Sequence, residues 1–130
     1  MKQTVRLRNQ TFTTWGWKYP RASIYLKALH PLLRKPKYVV VFRPVPGGVR
    51  SSGGNDNGEN YISAVLMLGI QNLRLIEAFK APTLLVSYEK ASQNPEVFLK
   101  ELSDFTKISL PKDTSKLLEF MTPGSYKPPI

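Results

Sequence analysis

The chain has 130 residues, 42% of them apolar, a length that allows one domain with its own hydrophobic core. The absence of cysteine and the single histidine exclude disulfide scaffolds, thiolate zinc sites, cysteine nucleophiles and multi-histidine metal sites. The formal charge of +10 comes from residues 1–50, which hold 11 Lys and Arg and neither Asp nor Glu, and such a segment indicates an anionic partner: nucleic acid, phosphate, sulfate or an anionic membrane.

The first half of the chain predicts a weak strand, a helix and a strong strand. Residues 13–18 are the weak strand candidate, and residues 21–33 have the apolar spacing of a helix that Pro31 ends or bends. Residues 38–42 form a continuous β-branched and aromatic run. Such a run is typical of a strand buried on both faces in a parallel sheet.

The second half adds a long helix, another strand and two shorter helices. Residues 59–80 carry apolar side chains at helical spacing, and residues 83–88 repeat the composition of a buried strand. Asn94 and Pro95 are typical of a helix start, and Asp113 is a possible cap for a last short helix. We therefore predict an α/β fold in a single domain, with a parallel sheet of about three strands flanked by helices.

Neither a targeting segment nor a membrane span is predicted. The N-terminal residues contain no apolar stretch long enough for a secretory signal peptide. The longest apolar run, residues 62–70, is far shorter than the roughly 20 residues that cross a bilayer. We therefore expect a cytoplasmic protein.

Residues 44–60 hold five of the eight glycines and are rich in Ser and Asn, which predicts a flexible loop. The loop follows Arg43 at the end of the strong strand, where ligands gather in open parallel sheets. Arg43 and Arg50 offer guanidinium groups, Ser51 offers a hydroxyl, and the glycines allow close backbone approach, which together outline a phosphate site. The loop is not a Walker A motif, because no Gly-Lys-Ser/Thr follows the glycines.

Several short motifs, in this order, resemble the sulfotransferase family. They are W-G-W-K-Y-P-R at residues 15–21, the strand Y-V-V-V-F-R with Ser51 eight residues after its arginine, L-L-V-S-Y-E-K at residues 84–90, and N-P-E at residues 94–96. The resemblance covers about residues 13–108. It implies an α/β fold with a P-loop-kinase-like (P-loop NTPase-like) parallel sheet. It also implies transfer of a sulfuryl group from 3′-phosphoadenosine 5′-phosphosulfate (PAPS) to a hydroxyl or amine acceptor, which the sequence does not identify.

The resemblance implies a set of cofactor-binding residues. Arg43 and Ser51 match the pair that grips the 3′-phosphate of the donor. Lys18 and Arg21 match basic residues that face the donor or the acceptor, and solvated surface charge is the alternative for both. Arg50, in the predicted phosphate loop, completes the cofactor-binding set.

Other motif residues are expected to have structural roles. Trp15 and Trp17 are expected to pack in the core, since large aromatic side chains usually do. Tyr88 and Glu89 match a structural pair of the family. His30 is expected to be an ordinary, partly buried histidine, so the catalytic residues stay unknown and no metal site is predicted.

The chain departs from the family pattern in three ways. Pro44 follows Arg43 where the family usually has Asp or Asn, and the residues at 46–48, Pro-Gly-Gly, disfavour the helix that usually begins there. The family's first strand and its loop for the 5′-phosphosulfate have no counterpart, since only 12 residues precede Thr13. The resemblance is therefore to the C-terminal part of a sulfotransferase. Without that loop, the charge on the transferring group would be poorly stabilised.

Two alternatives stay open. Residues 1–50 could form a nucleic-acid-binding module in which Trp15, Trp17 and Tyr19 stack on bases. The chain could instead be a non-catalytic interaction protein whose incomplete sheet pairs with a second chain.

Overall fold

The computed structural model describes residues 1–18, 23–42 and 58–122, with the side chains of residues 23 and 58–65 left aside. Within these residues the chain is a mixed α/β protein with mostly helices and a small two-stranded parallel sheet. In chain order its elements are α1 (Lys2–Thr11), α2 (Ser23–Leu29), a 3-10 turn (His30–Leu32), β1 (Tyr38–Phe42), α3 (Gly58–Phe79), β2 (Thr83–Ser87), α4 (Tyr88–Gln93), α5 (Pro95–Thr106) and α6 (Ser115–Met121).

The described residues divide into two compact units. The first unit contains the described part of residues 1–38 together with residues 58–83, and its buried side chains are Val5, Leu26 and Leu29. The second unit contains residues 39–42 and 84–122, and its buried side chains are Val86 and Leu99.

The strand–helix–strand unit predicted from the hydrophobic pattern is confirmed. β1 has the predicted bounds, and α3 and β2 differ from the predicted segments by one residue at their ends. The backbone N–H of Tyr38 donates to the carbonyl of Pro82 at 3.0 Å, which sets Tyr38 beside Thr83 in the parallel register. The start of α3 at Gly58 also removes residues 58–60 from the predicted loop, whereas residues 44–57 lie outside the described residues.

The prediction that both strands are buried on both faces is wrong. Val41 of β1 is 57% exposed and Leu85 of β2 is 58% exposed, whereas Val86 is only 5% exposed. The physical reason is the small size of the sheet. In the ranges described, each strand has one neighbour only, so apolar residues that would be covered in a wider sheet remain accessible.

The predicted third strand at residues 13–18 is also wrong, because this segment has no regular secondary structure. Its tryptophans engage other groups instead. The indole N–H of Trp15 donates to the Asn9 side-chain carbonyl at 3.2 Å, and the rings of Trp15 and Trp17 stack. This irregular segment is therefore attached to α1 through Trp15, and in the described residues it does not pair with a strand.

The helix predicted over residues 21–33 is α2 followed by the 3-10 turn, with Pro31 inside the turn. Pro31 ends the α-helix as expected, because proline lacks the N–H that an α-helical hydrogen bond requires. Residues 21 and 22 lie outside the described residues.

The later helix starts follow the predicted cap residues with small differences. α5 begins at Pro95 after Asn94, whose side chain makes no capping hydrogen bond. α4 begins at Tyr88, so β2 ends one residue earlier than predicted, and the backbone N–H of Lys90 donates to the Ser87 hydroxyl at 3.4 Å. In α6 the cap position belongs to Thr114 rather than Asp113.

Candidate functional site

Most of the predicted cofactor-binding residues cannot be placed in the fold. Arg21, Arg43, Arg50 and Ser51 lie outside the described residues. Lys18 is described, and its side chain is exposed in the segment that follows α1. The described residues therefore bring none of the five predicted side chains together.

The strand geometry next to Arg43 is described. β1 ends at Phe42, so Arg43 is the next residue along the chain after the carboxyl end of this strand. With Tyr38 beside Thr83, the register sets Phe42 beside Ser87, the last residue of β2. The carboxyl ends of both strands thus reach the same edge of the parallel sheet, which is the edge where ligands bind in α/β proteins.

His30, in the first unit, contacts a tyrosine hydroxyl and a phenylalanine ring. Its Nδ1 atom lies 2.6 Å from the hydroxyl oxygen of Tyr38, and its ring is stacked on Phe79 with 3.9 Å between ring centres. Burial raises the pKa of Tyr38. A cavity of about 270 Å³ adjoins this group and is lined by His30, Lys35, Pro36, Lys37, Phe79, Ala81 and Pro82. Its lining is mostly apolar and includes two lysines.

Three aromatic residues follow one another closely in sequence at and after the end of α1, and we call them the N-terminal aromatic patch (Phe12, Trp15 and Trp17). The Arg8 guanidinium lies 5.3 Å from the centre of the Phe12 ring. The Arg34 side chain donates through Nη2 to the Phe12 carbonyl at 2.7 Å. Phe12 and Trp17 are each 44% exposed, so the prediction of core packing is wrong for Trp17. Sequence reasoning missed Arg8 because α1 was not predicted, and it missed Arg34 because 22 residues separate it from Phe12.

No metal centre and no membrane span are found in the described residues. They contain no group of three or more His, Asp or Glu side chains that could hold a metal ion. Within the same ranges, the helices are either too short or too polar to cross a bilayer.

Comparisons with known proteins found no match in family models, in curated proteins or in solved structures.

Proposed function

We propose that this chain is a sulfotransferase-like domain that binds adenosine 3′,5′-bisphosphate and its sulfated form, PAPS. Arg43 and Ser51 hold the 3′-phosphate in this proposal, Arg43 through two parallel N–H donors and Ser51 through its hydroxyl. The proposal starts from the order of the sequence motifs and from the resemblance to the sulfotransferase family that this order carries.

The position at which β1 ends is the observation that supports the proposal most. The strand ends at Phe42, so the guanidinium-bearing residue follows a strand of a parallel sheet directly. Nucleotide phosphates bind beyond the carboxyl ends of such strands, where backbone N–H groups and loop side chains converge. α3 connects β1 and β2 in a βαβ unit with parallel strands, so the carboxyl ends of both strands lie at the same end of the sheet.

The other predicted residues supply charge around the nucleotide. Lys18, Arg21 and Arg50 belong to the acid-free first half of the chain, and the exposed Lys18 side chain makes no ion pair in the ranges described. Cations around a phosphate site raise the local concentration of an anionic ligand and speed its association.

The transfer step itself is a wider proposal. An acceptor hydroxyl or amine attacks the sulfur of PAPS, the bond from sulfur to the bridging oxygen breaks, and adenosine 3′,5′-bisphosphate leaves with the electron pair. The acceptor proton passes to a base that we do not assign. We expect this chain alone to bind the nucleotide without turning it over, because no loop for the 5′-phosphosulfate is recognised in its sequence.

A second chain that extends the sheet belongs to the same proposal. In the described residues β1 and β2 have only each other as neighbours, which leaves backbone N–H and C=O groups on their outer edges. Such edges accept a further strand through main-chain hydrogen bonds. A strand from another chain could therefore bring phosphosulfate-binding groups to this sheet.

Calorimetric titration with adenosine 3′,5′-bisphosphate tests the proposal. We expect binding in the micromolar to millimolar range, with losses of about tenfold or more for Arg43→Ala and Ser51→Ala, as is usual for a lost hydrogen bond to a charged group. Arg74→Ala, an exposed arginine on α3, is the matched control and should bind as the wild type does. Titration without nucleotide-dependent heat would overturn the proposal.

A further inference from the structure

We propose that the N-terminal aromatic patch, with Arg8 and Arg34, binds single-stranded nucleic acid. Bases would stack on Trp17 and Phe12 while the two guanidinium groups contact the phosphates. The residues that form this binding surface include neither Arg43 nor Ser51.

The tryptophan part of the patch is fixed before any ligand arrives. The rings of Trp15 and Trp17 are 5.4 Å apart between centres and inclined by 22°, an offset-stacked pair. Asn9 holds this pair to the fold, since it accepts from Trp15 and its Nδ2 donates to the Leu32 carbonyl at 2.7 Å. A rigid ring loses little conformational entropy when a base stacks on it.

The cationic part of the patch meets at Phe12. Arg8 lies over the Phe12 ring, and Arg34 donates to the Phe12 carbonyl, so two guanidinium groups from distant parts of the chain lie around one aromatic residue. Both arginine side chains are exposed. Planar guanidinium groups beside aromatic rings suit a ligand that alternates phosphates with flat bases.

The helix that precedes the patch is basic. Lys2, Arg6 and Arg8 are all exposed on α1, and none of these three side chains pairs with a carboxylate in the described ranges. Residues 1–50 contain no acidic residue that could compete with a phosphate. A basic surface of this kind supplies the salt-dependent part of nucleic-acid affinity.

The same observations favour nucleic acid over an anionic membrane. A membrane-binding helix presents a broad apolar face to the lipid, whereas α1 buries Val5 and exposes mostly polar and charged side chains. The exposed rings of Phe12 and Trp17 lie in the irregular segment after α1, and Arg34 donates to the backbone carbonyl of Phe12. A base stacks face to face on a single aromatic ring, whereas lipid binding relies on a broad apolar face.

Trp15 and Trp17 are the only tryptophans in the chain, so intrinsic fluorescence reports on the patch directly. We expect an oligothymidylate of about 12 nucleotides to quench this fluorescence at low salt. Anisotropy of the labelled oligonucleotide should show affinity about tenfold lower for Trp17→Ala and near wild type for Trp17→Phe, which keeps an aromatic ring. Phe120→Ala, which removes an exposed aromatic residue of α6, is the matched control and should leave affinity unchanged.

Salt and competitors separate stacking from charge alone. Arg8→Ala should lower the slope of log affinity against log salt by about 0.7, and Lys116→Ala on α6 should not. Adenosine 3′,5′-bisphosphate in excess and Arg43→Ala should both leave oligonucleotide binding intact. Equal binding of inorganic polyphosphate, stronger binding of anionic phospholipid vesicles, unchanged affinity of Trp17→Ala, or displacement by adenosine 3′,5′-bisphosphate would each overturn the proposal.

Discussion

His30 and Tyr38 are joined by a short polar contact, with 2.6 Å between the imidazole Nδ1 atom and the phenol oxygen. Phe79 lies against the same imidazole with its ring inclined by only 4°. The contact links the 3-10 turn to the start of β1, and the stack links it to the end of α3. Three aromatic rings of the first unit thus contact one another.

Tyr38 should make stability depend on pH in the alkaline range. Burial raises the pKa of its phenol, so the folded protein holds this proton more tightly than the unfolded chain does. The free energy of unfolding should therefore keep this contribution up to the usual tyrosine pKa of about 10, and lose it as pH rises through the higher folded-state pKa. Urea unfolding between about pH 9 and pH 12 checks this.

Tyr38→Phe is the comparison for that series. It should lower stability by about 1 kcal/mol at neutral pH, the usual worth of one hydrogen bond, and should flatten the alkaline decline. A variant with the same alkaline slope as the wild type would contradict the role assigned to Tyr38.

Asp113 should titrate below the usual range for an aspartate. The Ser115 hydroxyl donates to its carboxylate at 2.6 Å and the Ser115 backbone N–H donates at 2.9 Å, and these hydrogen bonds lower the pKa of Asp113. This contribution to stability is present above the usual aspartate pKa and is lost as pH falls through the folded-state value. Ser115→Ala should move the Asp113 pKa back toward its ordinary value in an NMR titration, and an unmoved pKa would count against the hydroxyl as the main cause.

Lys107 should be a site of stabilising substitution. It ends α5 with φ 62° and ψ 25°, the left-handed conformation in which a Cβ atom is unfavourable. Lys107→Gly should therefore raise the free energy of unfolding by about 0.5–1 kcal/mol. Lys100→Gly, in the interior of the same helix, should lower it by about 1 kcal/mol. Equal effects of the two substitutions in thermal unfolding would contradict this reading of the helix end.

Asn9 should stabilise the first unit and the patch together. Its side chain donates to the Leu32 carbonyl and accepts from the Trp15 indole, and both bonds are partly buried. Asn9→Ala should lower stability by about 1–3 kcal/mol, because it leaves two polar groups without their partner. Thr11→Ala on the same helix, whose hydroxyl donates only to the exposed Leu7 carbonyl, should have a much smaller effect in urea unfolding. Comparable losses would contradict the importance given to Asn9.

Local patterns in the sequence predicted the βαβ unit, whereas elements whose position depends on long-range contacts were not predicted. The apolar spacing of α3 and the β-branched run of β1 are properties of adjacent residues, so they could be read directly. α1 was not predicted, because Val5 is its only buried side chain and its attachment depends on Asn9, which bonds a carbonyl 23 residues away.

The candidate sites show the same difference between features set by neighbouring residues and features set by long-range contacts. Arg43 and Ser51 were proposed from motif order, and the end of β1 at Phe42 agrees with the expected position of the strand. The pairing of Arg8 and Arg34 around Phe12 could not be read from the sequence, since 22 residues separate Arg34 from Phe12. The exposure of Trp17 was also hidden, because composition alone favours burial of a tryptophan.

The most direct test of the proposed nucleotide site compares adenosine 3′,5′-bisphosphate with adenosine 5′-monophosphate in calorimetry of the wild type and Arg43→Ala. We expect the wild type to prefer the bisphosphate by about tenfold or more, and Arg43→Ala to lose that preference while still binding the monophosphate as the wild type does. A wild type that binds both nucleotides equally, or a preference that survives Arg43→Ala, would contradict the assignment of Arg43 to the 3′-phosphate.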